Sequence, residues 1–332
     1  PVEGTVRYNR DLNTLEFYNG VEWRQFTVNG ASGRGVFGGG STPSRIKNID
    51  YITIPSQGNA IVFGELTVGR SDCSACSSEI RGIWTGGFDD STPVYNNEID
   101  YVTLASEGNA IDFGNLSIPR QPPTSFSSST RGITAGGYAV TPNVPSNQYT
   151  NVIDYVELAT LGNATDFGDT ITGRGGPASV SSPTRGVIGG GISPVMQTDA
   201  EFVTIASKGN AVRFGNLTAG VRYGGASNTT RGIFTEAGAG PNYHGVGYQY
   251  ITIASEGNSQ YFGDMISTLR GAGTSNQTRA VFGGGSSPAR LNTLEYLTFA
   301  TLGNATDFGD MTIARSDWDG ACSDSHGGLG GY

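Results

Sequence analysis

Side chains able to do chemistry are few in this sequence, and their spacing suits catalysis poorly. Only two histidines occur, His244 and His326, and neither belongs to a recognisable nucleophile–base–acid set. Cys73-Ser-Ala-Cys76 has half the spacing of a zinc site, but with the remote Cys322 it does not make four tetrahedral ligands. Residues three apart on a strand face opposite sides, so the cysteines read as small buried side chains. Asp112, Asp166 and Asp307 each precede a phenylalanine in equivalent places, which looks like hydrated surface carboxylates more than an acid pair. Glycosidases hold two carboxyls about 5–9.5 Å apart, so glycan cleavage stays a minor alternative. Asp89, Asp90, Asp317 and Asp319 offer calcium oxygen ligands without EF-hand spacing. The glycine-rich segments lack the Lys-Ser/Thr of a phosphate loop. The expectation is a non-enzymatic chain without metal or cofactor.

What remains is recognition chemistry. Tyr95, Asn147, Gln148, Tyr149, Tyr243 and His244 fall in three segments, 89–97, 139–151 and 239–247. Aromatic and amide side chains suit stacking on sugars or packing on a protein. The alternative is that these segments are tolerated insertions.

The elements that position these residues follow from composition and repetition. Glycine fills 52 of 332 positions, and each interior helix glycine costs about 1 kcal/mol relative to alanine. The glycines follow no three-residue period, which excludes collagen. There are 29 acids against 20 bases, a net charge of −9, and only two lysines, Lys47 and Lys208. An acidic, lysine-poor chain lacks the footprint for nucleic acid. No apolar run approaches the roughly 18–20 residues of a membrane span, so no membrane insertion is expected. The sequence starts at Pro1, as an excerpt or a processed chain would.

Six segments carry an aromatic, an asparagine eight residues on, and a phenylalanine four further. They are Tyr51/Asn59/Phe63, Tyr101/Asn109/Phe113, Tyr155/Asn163/Phe167, Phe202/Asn210/Phe214, Tyr250/Asn258/Phe262 and Tyr296/Asn304/Phe308. Between them recurs Arg-Gly, a short apolar run and a glycine doublet, at 34–40, 81–87, 131–137, 185–191 and 279–285. A degenerate copy lies at 231–237 and a shortened one at 326–332, and Ala280 replaces one glycine. Each period reads as four short strands: a, a small-residue stretch such as Ser125–Ser129 lining a crowded axis; b, ending at the doublet; c, from the alternating aromatic segment; d, ending in Phe-Gly. Four-stranded units at this spacing are the signature of a β-propeller. The tyrosine and phenylalanine positions are assigned to packing between units.

Strand b occurs seven times but the c–d pair six times. The segment from Leu15 to Phe26 alternates as a hairpin around Asn19-Gly20, a two-residue turn signal. The expectation is an all-β chain: a hairpin over 1–27 and repeats over 28–332, forming seven four-stranded blades closed by pairing of the two termini. Six blades plus a separate hairpin is the alternative.

Spacing locates the variable surface. From each Phe to the next Arg or His is 17 or 18 residues, whereas from Arg to the next aromatic is 17, 20, 24, 17, 19 and 17. Length variation is thus confined to the b–c connections, and loops on a rigid scaffold commonly carry recognition.

The Arg, glycine doublet, tyrosine and later large aromatic resemble the kelch repeat, with a longer Tyr-to-aromatic spacing. Ser316-Asp-Trp-Asp-Gly320 resembles the Asp-box of sialidase propellers only superficially, with wrong spacing and a single occurrence. Residues 4–9 with 15–20 and Trp23 resemble a hairpin module of phage tail-fibre proteins. The Gly-Asn-Ala-Thr-Asp-Phe-Gly-Asp runs at 162–169 and 303–310, Ser-Ser-x-Thr-Arg-Gly before strand b, and the tract at 323–330 resemble structural proteins of marine, notably cyanobacterial, phages. This resemblance implies an exposed, extracellular virion or tail-fibre component whose partners are other virion proteins. It also implies a host-surface glycan or protein bound by the b–c loops, for host attachment. A purely architectural decoration module is the alternative, and a cellular kelch-type adaptor a further one.

Overall fold

The computed structural model describes residues 1–9, 14–25, 33–90, 95–141, 144–237, 245–266, 271–285, 289–316 and 320–330. The chain is all-β, built from small antiparallel sheets, and its helical content among these residues is one 3-10 turn, Gly327–Leu329. It divides into two compact units, Pro1–Ser32 and Gly33–Gly331.

The larger unit contains six four-stranded sheets among the described residues. In strand order a to d, sheet 2 is Ser74–Ser77, Arg81–Thr85, Glu98–Thr103 and Ile111–Asn115. Sheet 3 is Thr124–Ser127, Arg131–Ala135, Val152–Glu157 and Thr165–Asp169. Sheet 4 is Ala178–Ser181, Arg185–Gly189, Asp199–Thr204 and Val212–Asn216. Sheet 5 is Val221–Ser227, Arg231–Glu236, Gly247–Thr252 and Gln260–Asp264. Sheet 6 is Ala272–Ser275, Arg279–Gly283, Leu291–Thr298 and Thr306–Arg315. Sheet 1 takes strands b to d from Arg34–Gly38, Asn48–Thr53 and Ile61–Glu65, and strand a from the other end of the chain, Gly320–Ser323.

The a strands contact one another in a closed cycle, sheet 1 to 2 and onward to 6 and back to 1. The core follows the same cycle. Each of six apolar clusters spans two neighbouring sheets, from Val36 and Phe63 with Trp84 and Leu104, to Val281 and Phe308 with Phe37 and Ile54. A sheet with both faces buried this way reads as β-branched and aromatic runs with small residues at the tightest contacts.

Three repeated sets of contacts hold the sheets and join each to the next. Each strand-b arginine stacks over its own sheet's aromatic, Arg34 on Tyr51 at 4.4 Å and Arg185 on Phe202 at 4.1 Å, with Arg81, Arg131, Arg231 and Arg279 alike. Its guanidinium then donates to a carbonyl of the next sheet: Arg34 to Leu104, Arg81 to Leu158, Arg131 to Ile205, Arg185 to Ile253, Arg231 to Phe299 and Arg279 to Ile54. The aromatic–phenylalanine pairs meet edge-on at 5.8–6.1 Å in all six sheets. The repeated asparagine caps the outer strand of the preceding sheet, its Oδ1 accepting from Glu65 N–H (Asn109) through to Asp310 N–H (Asn59). The glycine of Phe-Gly is required there: a Cβ on Gly64 would lie 2.1 Å from Gly108 O. This contact covers strand edges that would otherwise invite pairing with other chains.

Two expectations are corrected. The N-terminal strands Val6–Asn9, Thr14–Tyr18 and Trp23–Gln25 pair with one another as a separate three-stranded sheet and do not supply strands to sheet 1. Their second turn spans four residues, 19–22, because the Asn19 side chain accepts from both Val21 and Glu22 N–H. The shortened copy at 326–332 opens no further strand b, since Gly327–Leu329 turns as a 3-10 helix.

Candidate functional site

The b–c and d–a connections lie at one end of the sheets, where the glycine doublets meet the d–a segments. Gly40, Gly87 and Gly137 N–H donate to the carbonyls of Arg70, Arg120 and Arg174 at 2.9, 3.0 and 2.8 Å. Both glycines of each doublet have positive φ, 82° and 97° in the first, a region that L side chains rarely enter.

The d–a segments are uniform because a buried acid clamps them. The residue before each aromatic is Asp50, Asp100, Asp154, Glu201, Gln249 or Glu295, all buried. Each accepts from a d–a residue four beyond the phenylalanine: Thr67 and Ser117 N–H and hydroxyl, Ile171, Thr218 and Ile266 N–H, and the Thr312 hydroxyl. In four sheets an arginine seven beyond the phenylalanine completes a buried ion pair: Arg70–Asp100 at 2.9 Å, Arg120–Asp154 at 2.7 Å, Arg174–Glu201 at 3.0 Å and Arg315–Asp50 at 2.7 Å. Burial pulls the Arg120 pKa down while Asp154 pushes it back up; burial raises Glu201 against the pull of Arg174. These carboxylates are held by arginine and backbone, as structural clamps.

Phe113, Phe167 and Phe262, three of the repeat phenylalanines that the sequence assigns to packing, are core residues. Phe113, Phe167 and Phe262 are each 2% exposed, too little for a ligand to reach the ring. Phe113 packs with Ile83 and Ile99 of sheet 2 against Val156 and Leu158 of sheet 3. Phe167 packs with Ile133 and Ile153 of sheet 3 against Val203 and Ile205 of sheet 4. Phe262 packs with Ile233 and Tyr248 of sheet 5 against Leu297 and Phe299 of sheet 6. Their edge-on partners Tyr101, Tyr155 and Tyr250 are half-buried, so of each pair only the tyrosine meets solvent.

The b–c connections differ from sheet to sheet. In sheet 3 the expected loop 139–151 is a hairpin, Tyr138–Thr141 paired with Val144–Tyr149, whose first strand also pairs Arg120–Gln121. Tyr149 is half-buried, its ring 4.8 Å from Tyr138. Gln148 pairs Ala139, so strand alternation turns it to the opposite face, where it is exposed. Asn147 lies on the same strand, its side chain outside the described residues. In sheet 2, half-buried Tyr95 packs on Phe88 at 6.5 Å, and Arg45 stacks on Phe88 at 4.1 Å. Arg45 also pairs with Asp90, and Asp89 accepts from Asn96 at 3.2 Å. Tyr243 and His244 lie outside the described residues, as do Asp317 and Asp319.

The structure adds residues that sequence reasoning missed. Tyr138 lies against the Tyr149 ring, and burial pushes its pKa up to about 12, with Arg222 acting in the opposite direction. Arg222 stacks over Tyr223 at 4.2 Å. The Gly175–Gly176 segment runs beneath both tyrosines, since Cβ atoms there would meet the Tyr138 and Tyr223 rings at 2.3 and 2.5 Å. Tyr223 holds φ 66°, a strained value for a bulky residue. The sheet 3 hairpin, the segment leading into sheet 4 and the start of strand a of sheet 5 thus meet in one Tyr–Tyr–Arg–Tyr cluster. A signal existed: Arg222 stands eight beyond Phe214, where four repeats have seven, and Gln249 replaces the acid.

The a strands line an axial cavity of ≈ 50 Å³, with mostly small side chains from all six sheets together with Phe126 and His326, large enough to hold water. A ring of serines surrounds it. Ser127 donates to Ser77 O, Ser181 to Ser127 O, Ser227 to Ser181 O, Ser275 to Ser227 O, and Ser77 to Ser323 O, at 2.6–3.0 Å; Ser323 to Ser275 O closes the ring. His326 lies at the end of this cavity, away from the loop end. Its Nδ1 accepts from Gly328 N–H at 3.1 Å, so the proton sits on Nε2, which donates to Ser77 O at 3.0 Å. Burial lowers its pKa to about 4. Cys73, Cys76 and Cys322 are free and buried, and burial pushes the Cys76 thiol up to about 12. Asp112, Asp166 and Asp307 are exposed on the d strands.

No protein-family model matches the chain, and no curated protein matches it.

Proposed function

We propose that Gly33–Gly331 is a six-bladed, kelch-like β-propeller, and that the chain is a non-enzymatic structural component of a bacteriophage particle. In this reading it is displayed on the outside and binds a host-surface glycan or protein through the b–c connections. The carrying observation is where variation is allowed. Three repeated sets of contacts hold every sheet alike, and a buried acid or amide holds every d–a segment. Only the b–c connections change length and form, including the hairpin of sheet 3, and they share one end of the unit. The cluster of Tyr138, Tyr149, Arg222 and Tyr223 at that end supplies rigid amphipathic rings, the side chains that dominate recognition surfaces. The phage assignment rests on the sequence resemblance.

The test is binding of labelled chain to cyanobacterial cells in competition with intact phage, repeated with the sheet 3 hairpin replaced by the shorter connection of sheet 4. Saturable binding that blocks adsorption and is lost with the hairpin supports attachment. Absence of binding by a chain present in purified virions leaves the architectural module.

A further inference from the structure

The fifth repeat departs from the others in several coupled ways. Gln249 replaces the buried acid and accepts from the Ser259 hydroxyl, where the other five repeats carry Ala60, Ala110, Ala164, Ala211 and Ala305. Gln260 stands where the others carry Ile61, Ile111, Thr165, Val212 and Thr306. Its Oε1 accepts from the Tyr250 hydroxyl at 2.6 Å, which leaves the amide nitrogen as the donor of that side chain. One residue class in the neighbouring sheet also differs: Phe202 is the single non-tyrosine among the six aromatics. In sheet 1 the tyrosine hydroxyl donates to the hairpin acid of the next sheet, Tyr51 to Glu107 at 2.9 Å. Phe202 has no hydroxyl to give Glu256, the equivalent hairpin acid of sheet 5. Places where a repeat breaks its own rule are where function is expected.

Of these departures Gln260 borders, together with the hairpin acid Glu256, a cavity of ≈ 230 Å³ on the c–d hairpin side of sheet 5, also lined by Phe214, Tyr250, Thr252 and Ser255 among others. Drug-sized ligands occupy about 300–1,000 Å³, so this cavity fits something smaller. Its walls combine a half-buried tyrosine with an amide, a carboxylate and two hydroxyls, which is complementary to a ring that is apolar on its face and hydroxylated at its edge. We propose that this is a carbohydrate site taking one sugar unit, with half-buried Tyr250, stacked by Arg231 at 4.8 Å, as an apolar contact, Gln260 donating and Glu256 accepting from sugar hydroxyls. It is separate from the b–c connections and does not depend on the reading given for them.

The test is saturation-transfer NMR of the full chain with methyl hexosides and N-acetylhexosamine. Gln260→Thr and Glu256→Leu install residues that other repeats already carry at these positions (Thr165 and Leu161), so the fold is kept and the thermal midpoint serves as control. The expected result is saturable transfer from at least one glycoside, weakened at least tenfold in either variant with the thermal midpoint unchanged. No transfer from any glycoside overturns the proposal. So does transfer that survives both variants.

Discussion

The first glycine of each Arg-Gly pair carries a quantitative prediction about how the sheets fit. It lies on strand b beneath the penultimate residue of the preceding sheet's a strand. A Cβ on Gly186 would sit 1.9 Å from the Phe126 ring, on Gly232 2.4 Å from Val180, on Gly35 2.8 Å from Thr274, on Gly82 2.8 Å from Cys322 and on Gly132 3.0 Å from Cys76. The sixth pair is the natural exception. Ala280 replaces glycine, and the residue in the Phe126 position is Ala226, in the same apolar cluster. In Gly186→Ala the ring must retreat about 1.5 Å to reach the 3.4 Å of ordinary contact, inside a packed core where Phe126 is 4% exposed. Overpacking of this kind costs about 1–3 kcal/mol, occasionally more, whereas alanine gains about 0.5–1 kcal/mol over glycine in a strand. The clash wins, by about 1–2 kcal/mol. With about 2–4 °C per kcal/mol for chains of 150–250 residues, and less for larger ones, the midpoint should fall about 2–3 °C by calorimetry. Gly132→Ala, with the loosest contact, should be nearly neutral. Phe126→Ala alone should cost about 3–5 kcal/mol, but Phe126→Ala with Gly186→Ala recreates the sheet 5–6 pair and should be less destabilised than the sum by about 0.5–3 kcal/mol. A Gly186→Ala midpoint within a degree of wild type, or strict additivity in the double variant, would refute the reasoning.

Two further outcomes follow from buried groups. His326 has a folded pKa near 4 against an ordinary 6.5, so the unfolded chain binds the extra proton first. Stability should be full above pH 6.5 and fall toward pH 4, by up to about 3 kcal/mol, less for the partial exposure of the residue; His326→Gln should flatten that part of a denaturation-versus-pH series. Asp154→Leu strands the fully buried Arg120 and should cost about 3–5 kcal/mol in urea unfolding, while adding Arg120→Met should recover much of it, a result incompatible with a clamp that acts through geometry alone.

The repeating frame was legible because the contacts that set it are local in sequence. The twelve-residue step from Tyr51 to Phe63 is a c–d hairpin, and the edge-on ring pair fixes its length. The same step places Phe113, Phe167 and Phe262 in the core, because the residue one position before each phenylalanine takes the solvent side of strand d. The unit count was not legible, because it depends on why glycines occur. Gly327 and Gly328 after His326 imitate the strand-b signature, yet Cβ atoms there would strike Asn228 O at 2.2 Å and Ser127 O at 1.8 Å. They are small because the tail is pressed across neighbouring a-strand ends, and not because a strand ends there. The buried acids were equally hidden. Asp100 stands in plain view before Tyr101, but its partner Arg70 lies 30 residues earlier on the segment leading out of sheet 1, a pairing that only the cyclic order explains. At the loop end, Tyr95 and Tyr149 were legible as aromatics. Their half-burial against Phe88 and Tyr138 was not, because it depends on how each connection folds, in sheet 3 as a hairpin.

Closure shows the same rule acting across the whole chain. In sheets 2 to 6 a serine or asparagine after strand a accepts from the arginine N–H that opens strand b: Ser78 from Arg81, Ser128 from Arg131, Ser182 from Arg185, Asn228 from Arg231 and Asn276 from Arg279. In sheet 1 no turn connects the two strands, yet Asp324 Oδ1 accepts from Arg34 N–H at 2.9 Å and Asp324 N–H donates back to Arg34 O at 3.2 Å. A contact that elsewhere spans three residues here spans 290, so its closure entropy is not prepaid by a local turn. The tail beyond it offsets that cost by binding elsewhere. Gln277 Nε2 donates to Ser325 and His326 carbonyls, and His326 donates to Ser77 O. The residues after Ser323 therefore act as the fastener of sheet 1 and are held to sheets 2 and 6 independently of it.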